Sequence, residues 1–293
     1  MIVVTTPTGQ IGRRVLAGLA AAGEPVRAVA RDRGRLEAGH PPGGIEVVEG
    51  SHGEPAIARK ALDGAEAVFW CVPPDLSAPD AREHYLRYGR ALADALAAPG
   101  STVRRVVLVS SGGRGRAKVG AIAAVHAVEE LLERTGVHLR SLRAGAFMEN
   151  MLHQLEPLRH QGAFYYPIDG DFAVPVCATR DIGDIAVGLL RDRSWTGQAG
   201  PAVHGPADLS MNDLARIMTE VLGRPIRYQQ VPEAAYEASL VEHGASEGFA
   251  RSLVAMWREI AAGLHAADPR TPESTTPTTF EAWCREVLKP AIG

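Results

Sequence analysis

Cysteine is scarce in this chain. The three present, Cys71, Cys177 and Cys284, lie far apart and show no metal-ligand spacing. An odd, scattered set of thiols predicts neither a disulfide framework nor a metal site, and it reads as the reduced thiols of a cytoplasmic protein. Neither sign of charge dominates, since 31 Lys and Arg against 34 Asp and Glu leave −3. Without a basic block, direct nucleic-acid binding is not expected. No apolar run approaches the roughly 20 residues a membrane span needs. The first residues carry no charged leader, so a signal peptide is not expected either. No P-loop lysine and no Ser-His-Asp order is found. What the chain does have is 293 residues, 46% of them hydrophobic, enough for one large or two modest domains.

Its first dozen residues, MIVVTTPTGQIG, organise the rest. Ile2, Val3 and Val4 suit a strand buried on both faces of a parallel sheet. A polar turn follows, and then Gly9 and Gly12 open a helical pattern in Ile11, Val15, Leu16 and Leu19. Strand, glycine turn and helix together make the phosphate-binding corner of a dinucleotide fold. Gly9 lets the backbone approach a pyrophosphate, Gly12 lets the helix pack on the strand, and the helix N-terminal N–H groups face the anion. The fingerprint with this spacing has three glycines, and Thr6 stands where the first belongs.

Further along, strands are predicted at 25–30, 44–48, 65–72, 105–111 and 137–142, with helices between them, including 80–98 and 117–134. This alternation predicts a doubly wound parallel sheet of the Rossmann type. At the end of the second strand an arginine accommodates the 2′-phosphate of NADP, whereas a carboxylate favours NAD. Arg31 comes first, so NADP is expected. Asp32 beside it keeps NAD open, and a plain solvated loop is the alternative for the whole Arg31–Arg35 stretch. Ligands sit outside the carboxyl ends of strands, which places Val72 and Pro73 in the crevice. Past residue 150 the alternation loosens. Short strands are predicted at 162–166 and 172–176 around an Asp169-Gly170 turn, then helices at 179–191 and 210–223. The expected organisation is a cofactor domain over 1–155 and a smaller, mostly helical substrate domain over 156–293, some of whose segments return to the sheet.

Four segments, TGQIG at 8–12, LRAGAFMENM at 142–151, ATRDIGDIA at 178–186 and TTFEAW at 278–283, resemble the NmrA-like branch of atypical short-chain dehydrogenases/reductases. That family contains NAD(P)H-dependent quinone reductases and also regulators that bind the dinucleotide without turning it over. The resemblance implies that Thr6, Thr8, Gly9, Gln10, Ile11 and Gly12 form the pyrophosphate turn and that Arg31 faces the adenosine ribose. It places Val72 and Pro73 by the adenine or ribose, Ser110 and Ser111 beside the nicotinamide, and Phe147, Met148 and Asn150 along the nicotinamide and substrate wall.

Short-chain dehydrogenases usually carry a Tyr-x-x-x-Lys pair on the helix after the fifth strand. Residues 117–134 contain no tyrosine, and Lys118 lies at their beginning. The substitute candidates are Ser111 and His126, the latter sharing a helix face with Glu130 four residues on; a structural histidine is the alternative. Tyr165 is a candidate for the substrate cavity, with a core role as its alternative, and His204 stands near a strand end. The expected function is hydride transfer from NADPH to a quinone-like or other electron-poor small molecule. The alternatives are a non-catalytic sensor with a protein partner and a biosynthetic tailoring enzyme. A homodimer is left open.

Overall fold

The computed structural model describes residues 1–39, 44–116 and 118–293, with the backbone alone at 37–39. Six of the eight parallel strands of the central sheet come from the first half of the chain: β1 Ile2–Thr5, β2 Val26–Ala30, β3 Ile45–Glu49, β4 Ala67–Trp70, β5 Arg105–Ser111 and β6 His138–Ala144. Their spatial order is β3-β2-β1-β4-β5-β6. The order reverses between β1 and β4, which makes the carboxyl ends of those two strands the switch point where doubly wound sheets bind ligands. All four residues of β1 are buried, as an apolar run in a sheet covered on both faces requires.

The helices between these strands are α1 Gln10–Ala21, α2 Arg33–Gly39, α3 Pro55–Leu62, α4 Ala81–Leu96 and α5 Gly120–Glu133. Alternation along β1 sorts them. Ile2 and Val4 face the side where Ile11, Val15 and Leu19 of α1 pack. Val3 faces the side covered by α3, α4 and α5 through Leu62, Leu92 and Val128. The helix predicted from 117 begins at Gly120, where φ is +81°; Ala117 itself lies outside the described residues.

The second half of the chain contains β7 Ala146–Phe147, a 3-10 turn at Met148–Gln154, α6 Leu155–Gln161, β8 Ala163–Tyr166, β9 Ala173–Cys177 and α7 Thr179–Arg191. These are followed by β10 Gln198–Ala199, β11 Ala202–Val203, β12 Asp208–Ser210, α8 Met211–Leu222, β13 Arg227–Gln230, α9 Glu233–Glu242, α10 Glu247–Ala261, a 3-10 turn at Leu264–Ala267 and α11 Phe280–Trp283. Two parts of this half belong to the sheet. β10 and β11 pair in parallel with β6, and α7 buries Ile182, Ala186 and Leu190 beside α1. The remainder encloses its own core of Phe164, Met218, Trp257 and Trp283, which reaches α5 through Ile122 and the end of β7 through Met148.

The two short strands around Asp169-Gly170 do not form a hairpin with each other. β8 pairs in parallel with β13, while β9 pairs with β12 and β7. Polar contacts then fasten the C-terminal segment to elements earlier in this half. Asp181 accepts the N–H and the hydroxyl of Thr278, and Glu149 accepts both the Thr179 N–H and the Trp283 indole N–H. Arg159 donates to the carbonyls of Ala291 and Ile292. Among the described residues, no helix is long and apolar enough to cross a membrane.

Candidate dinucleotide and substrate site

The corner between β1 and α1 is held by backbone contact. Thr6 takes φ +50°, the left-handed region that favours glycine, and its carbonyl accepts the Gly9 N–H at 2.9 Å. A Cβ on Gly12 would overlap the Thr6 carbonyl oxygen, and would stand 2.7 Å from the Thr6 carbonyl carbon and 2.9 Å from the Thr5 oxygen. Gly9 is the N-cap of α1 and offers no side-chain cap, and the first turn holds no acidic residue. The N–H groups of Gln10, Ile11 and Gly12 therefore start the helix without a carboxylate to satisfy them, which suits an anion. Thr8 and Gln10 are exposed around the turn, and Ile11 anchors it in the core at 5% exposure. Thr5 ties this corner to β4, because its hydroxyl donates to the Phe69 carbonyl and accepts the Cys71 N–H.

Beyond β2, Arg31 is exposed and forms no hydrogen bond or ion pair among the described residues. Asp32 is engaged otherwise: its Oδ1 accepts the Arg35 N–H at 3.0 Å and caps the start of α2. The carboxylate that would favour NAD is turned to the helix, and the guanidinium is left at the strand end.

Val72 and Pro73 are half-buried just past β4. Two histidines brace this turn. His52 Nε2 donates to the Cys71 carbonyl at 2.9 Å and His84 Nε2 to the Pro73 carbonyl at 2.8 Å. Burial pushes His52 down to about 4, so it stays neutral and the N–H remains available for that bond. The cap clasps the same loop, with the Ser246 N–H and hydroxyl donating to the carbonyls of Leu76 and Ala78.

At the end of β5 the structure corrects one pairing. His126 does not meet Glu130, whose carboxylate bonds Arg114 at 2.9 Å. The His126 ring is 3% exposed, and its Nε2 donates to the Ser111 carbonyl at 2.8 Å, which leaves Nδ1 buried without a partner. Burial holds its pKa below the ordinary 6.5. Ser110 faces α5 and donates to Glu129 at 2.8 Å; Glu129, 1% exposed, is paired with Arg143 at 2.5 Å. Ser111 is half-buried on the opposite face.

Phe147 packs half-buried against the α1 side of the sheet, Met148 is buried where both cores meet, and Asn150 is exposed. Successive strand residues face opposite ways. Tyr166 therefore lies against Trp257 at 4.9 Å between ring centres, whereas the Tyr165 hydroxyl reaches out to Gln161 at 2.6 Å. A cavity of about 370 Å³ opens beside α1 between Gln10, Arg13, Glu149, Thr179 and Trp283. Of the residues expected to bind the cofactor it includes Gln10, but none of Arg31, Pro73 and Ser111.

Several of these contacts have no local signal in the sequence. Glu149, the His52 and His84 braces and the Glu129 network join residues 11 to 134 positions apart, and only the paired fold brings them together.

Comparison with known proteins agrees with this architecture. A curated reductase from Streptomyces griseus, (4-alkanoyl-5-oxo-2,5-dihydrofuran-3-yl)methyl phosphate reductase, is 32% identical over 82% of this chain and 80% of its own. An NAD(P)H azoreductase from Xenophilus azovorans is 27% identical over 86% of this chain and 85% of its own. Among solved structures, the NADPH-dependent quinone oxidoreductase of Escherichia coli complexed with NADPH superposes with a TM-score of 0.80. It is 21% identical, covering 96% of this chain and 97% of that one. Residues 1–281 match the NmrA-like family, and the chain belongs to it.

Proposed function

We propose that this protein is an NADPH-dependent reductase that passes hydride to a quinone-like or other electron-poor small molecule. The observation that carries the cofactor choice is the end of β2, where Arg31 is unpaired among the described residues and Asp32 is spent as a helix cap. Bound there, NADPH supplies a hydride and its two electrons. The chain's own contribution is placement. The amides of Gln10 to Gly12 hold the pyrophosphate, Arg31 takes the 2′-phosphate, and the turn at Val72 and Pro73, stiffened by His52 and His84, borders the adenosine side. The ends of β5 and β7, with Ser111 and Phe147, border the nicotinamide, and Met148 and Asn150 the acceptor, whereas Ser110 is turned away to the buried Glu129. Tyr165, bonded to Gln161 on the exposed side, is placed less well for contact than these.

In this reading the proton comes from solvent. The His126 N–H is already donated to Ser111, and an electron-poor acceptor takes hydride without a positioned acid. Relatives named as reductases of a butenolide phosphate and of azo compounds support reduction as the class of reaction.

The test is a fluorescence titration with NADPH and NADH, followed by an acceptor panel of quinones, azo compounds and conjugated carbonyls. Micromolar NADPH binding with steady oxidation by at least one acceptor is the expected result. Binding without turnover on the whole panel would sink the reductase reading and leave a dinucleotide sensor.

A further inference from the structure

The loop between β4 and α4 leaves the sheet at Val72 and Pro73 and runs exposed from Pro74 to Ser77. Pro73, Pro74 and Pro79 bring no backbone N–H to it. Its internal bonds converge on Asp75, whose carboxylate takes the Ser77 N–H and hydroxyl and whose carbonyl takes the Ala78 N–H. The carbonyls of Leu76 and Ala78 are met from far along the chain. Ser246 gives its N–H to Leu76 at 2.8 Å and its hydroxyl to Ala78 at 2.6 Å. Two residues on, Gly248 lies so close to the Pro79 carbonyl that a Cβ there would overlap the oxygen. Ser246 is also the N-cap of α10, accepting the Phe249 N–H at 3.0 Å.

The far end of the same helix holds a second loop. Past α10, Leu264 fills the space beside Gly113, and the Asp268 carboxylate accepts the Gly113 N–H at 2.5 Å, two residues beyond Ser111. Between the two ends, a Cβ on Gly120 would stand 2.7 Å from the Met256 nitrogen and 2.8 Å from the Ser252 oxygen, so α10 crosses the start of α5 backbone to backbone. Phe249, Ala250, Val254, Trp257 and Ile260 are buried along its length, at least one in each turn. The helix is therefore the fixed member, and the exposed loop is the one held. Its 15 residues span roughly 22 Å. β4 and β5 are neighbours in the sheet, and the cofactor crevice lies outside the carboxyl ends of its strands.

We infer that α10 is a splint for the cofactor cleft, with Ser246 and Asp268 as positioning residues that fix the loops after β4 and β5 relative to each other from opposite ends of one helix. Neither residue has to touch NADPH. Ser246 acts through Leu76 and Ala78 on the loop that starts at Val72 and Pro73, and Asp268 acts through Gly113 on the loop that follows Ser111. The inference rests on the proposed placement of NADPH between those loops, and it needs binding rather than turnover. A rod that sets a spacing works only while both ends are attached, so freeing either loop loses most of what the splint contributes. Contacts that acted separately would instead add, as distant sites without shared partners do.

The experiment titrates variants with NADPH by fluorescence, with circular dichroism to confirm that each is folded. Ser246→Asp keeps an acceptor for the Phe249 N–H but has no proton for the Ala78 carbonyl, whereas Ser246→Thr keeps both. Asp268→Ala frees the other end. Each freeing variant should weaken NADPH roughly 5- to 20-fold, and Ser246→Thr should stay within about 2-fold of wild type. Gly248→Ala adds no charge and drives a methyl group into the Pro79 carbonyl, so it should match Ser246→Asp. Joining Ser246→Asp to Asp268→Ala should cost no more than about 2-fold beyond the larger single loss, where independent contacts would multiply to roughly 25-fold or more. Should Asp268→Ala fail to fold, Asp268→Asn, whose neutral bond to Gly113 is weaker, takes its place in the cycle. Losses that multiply would overturn the inference. So would wild-type affinity in Ser246→Asp and Gly248→Ala, or a Ser246→Thr as weak as Ser246→Asp. A wild type that binds NADPH but reduces nothing ends the reductase reading alone, and the cycle still decides on the splint.

Discussion

Gly12 lies against the carbonyl of Thr6 so closely that a single methyl group on Gly12 would overlap that oxygen. The atoms in the way are backbone, and no side-chain rotation relieves them. Gly12→Ala must push α1 off β1 and displace the amides that meet the pyrophosphate. NADPH binding is expected to weaken by ~100-fold or more, since misplacement on the ångström scale costs that much in a positioned site. Fluorescence titration checks this, with circular dichroism to confirm that the sheet persists.

Thr6 makes the converse prediction. At φ +50° it holds a conformation that costs an L-residue roughly 1–2 kcal/mol, part of which glycine gives back through its greater freedom when unfolded. Thr6→Gly should therefore stabilise the protein by about 1 kcal/mol at most, a rise in Tm of roughly 2 °C. A fall in Tm would show that the Thr6 side chain contributes more than its backbone costs.

Arg31→Ala removes the guanidinium that directly follows β2. NADPH affinity should drop roughly 10- to 100-fold, the range for a lost hydrogen bond to a charged group. NADH affinity should barely change. Equal losses for both nucleotides would move the 2′-phosphate contact elsewhere.

Glu129 is the buried carboxylate on which Ser110 and Arg143 converge. Glu129→Ala strands the Arg143 guanidinium in a site that is 1% exposed at the carboxylate, and should cost about 3–5 kcal/mol in urea unfolding. A loss under 1 kcal/mol would mean that solvent reaches the pair.

Acid should weaken the fold through its histidines. An unfolded ring binds a proton below about 6.5, whereas folded His52 does so only near 4, so the unfolded state carries more protons across that window. Stability is therefore full above 6.5 and declines as pH falls towards 4. His52→Gln keeps an N–H donor for the Cys71 carbonyl and should flatten that decline in Tm measured against pH. An unchanged slope would place the acid sensitivity on other groups.

The sheet was legible because its signals are local. The IVV run, the Gly9 and Gly12 spacing and the recurring apolar stretches each report on their own neighbourhood, and the parallel order follows from them. Arg31 stands at the end of β2 where its distance from the turn predicts, but the cap that Asp32 makes on α2 was not legible, because the charged Arg31–Arg35 stretch carries no apolar period and reads as a strand end or a solvated loop. Sequence spacing misled where the partner was distant. His126 and Glu130 share a helix face, yet Ser111 takes the ring, and Arg114, from a loop 16 residues back, takes the carboxylate. The pair of short strands around Asp169-Gly170 reads as a hairpin until β12 and β13, contributed later in the chain, claim them instead. Ser246 and Asp268 were not legible at all, because nothing near them in sequence marks them; their places beside the loops after β4 and β5 exist only once the cap has folded.

The polar ties from Glu149 to Trp283, Asp181 to Thr278 and Arg159 to Ala291 also set an order of events during synthesis. The nucleotide corner is translated first, but the groups that secure its far wall emerge from the ribosome some 280 residues later. Until then the nascent chain can pair β1 to β6 but leaves the Glu149 and Asp181 carboxylates waiting. A ribosome stalled before residue 278 should accordingly display an assembled sheet beside a protease-sensitive second core that lacks Phe280 and Trp283, and one stalled with residue 292 outside the tunnel a resistant one.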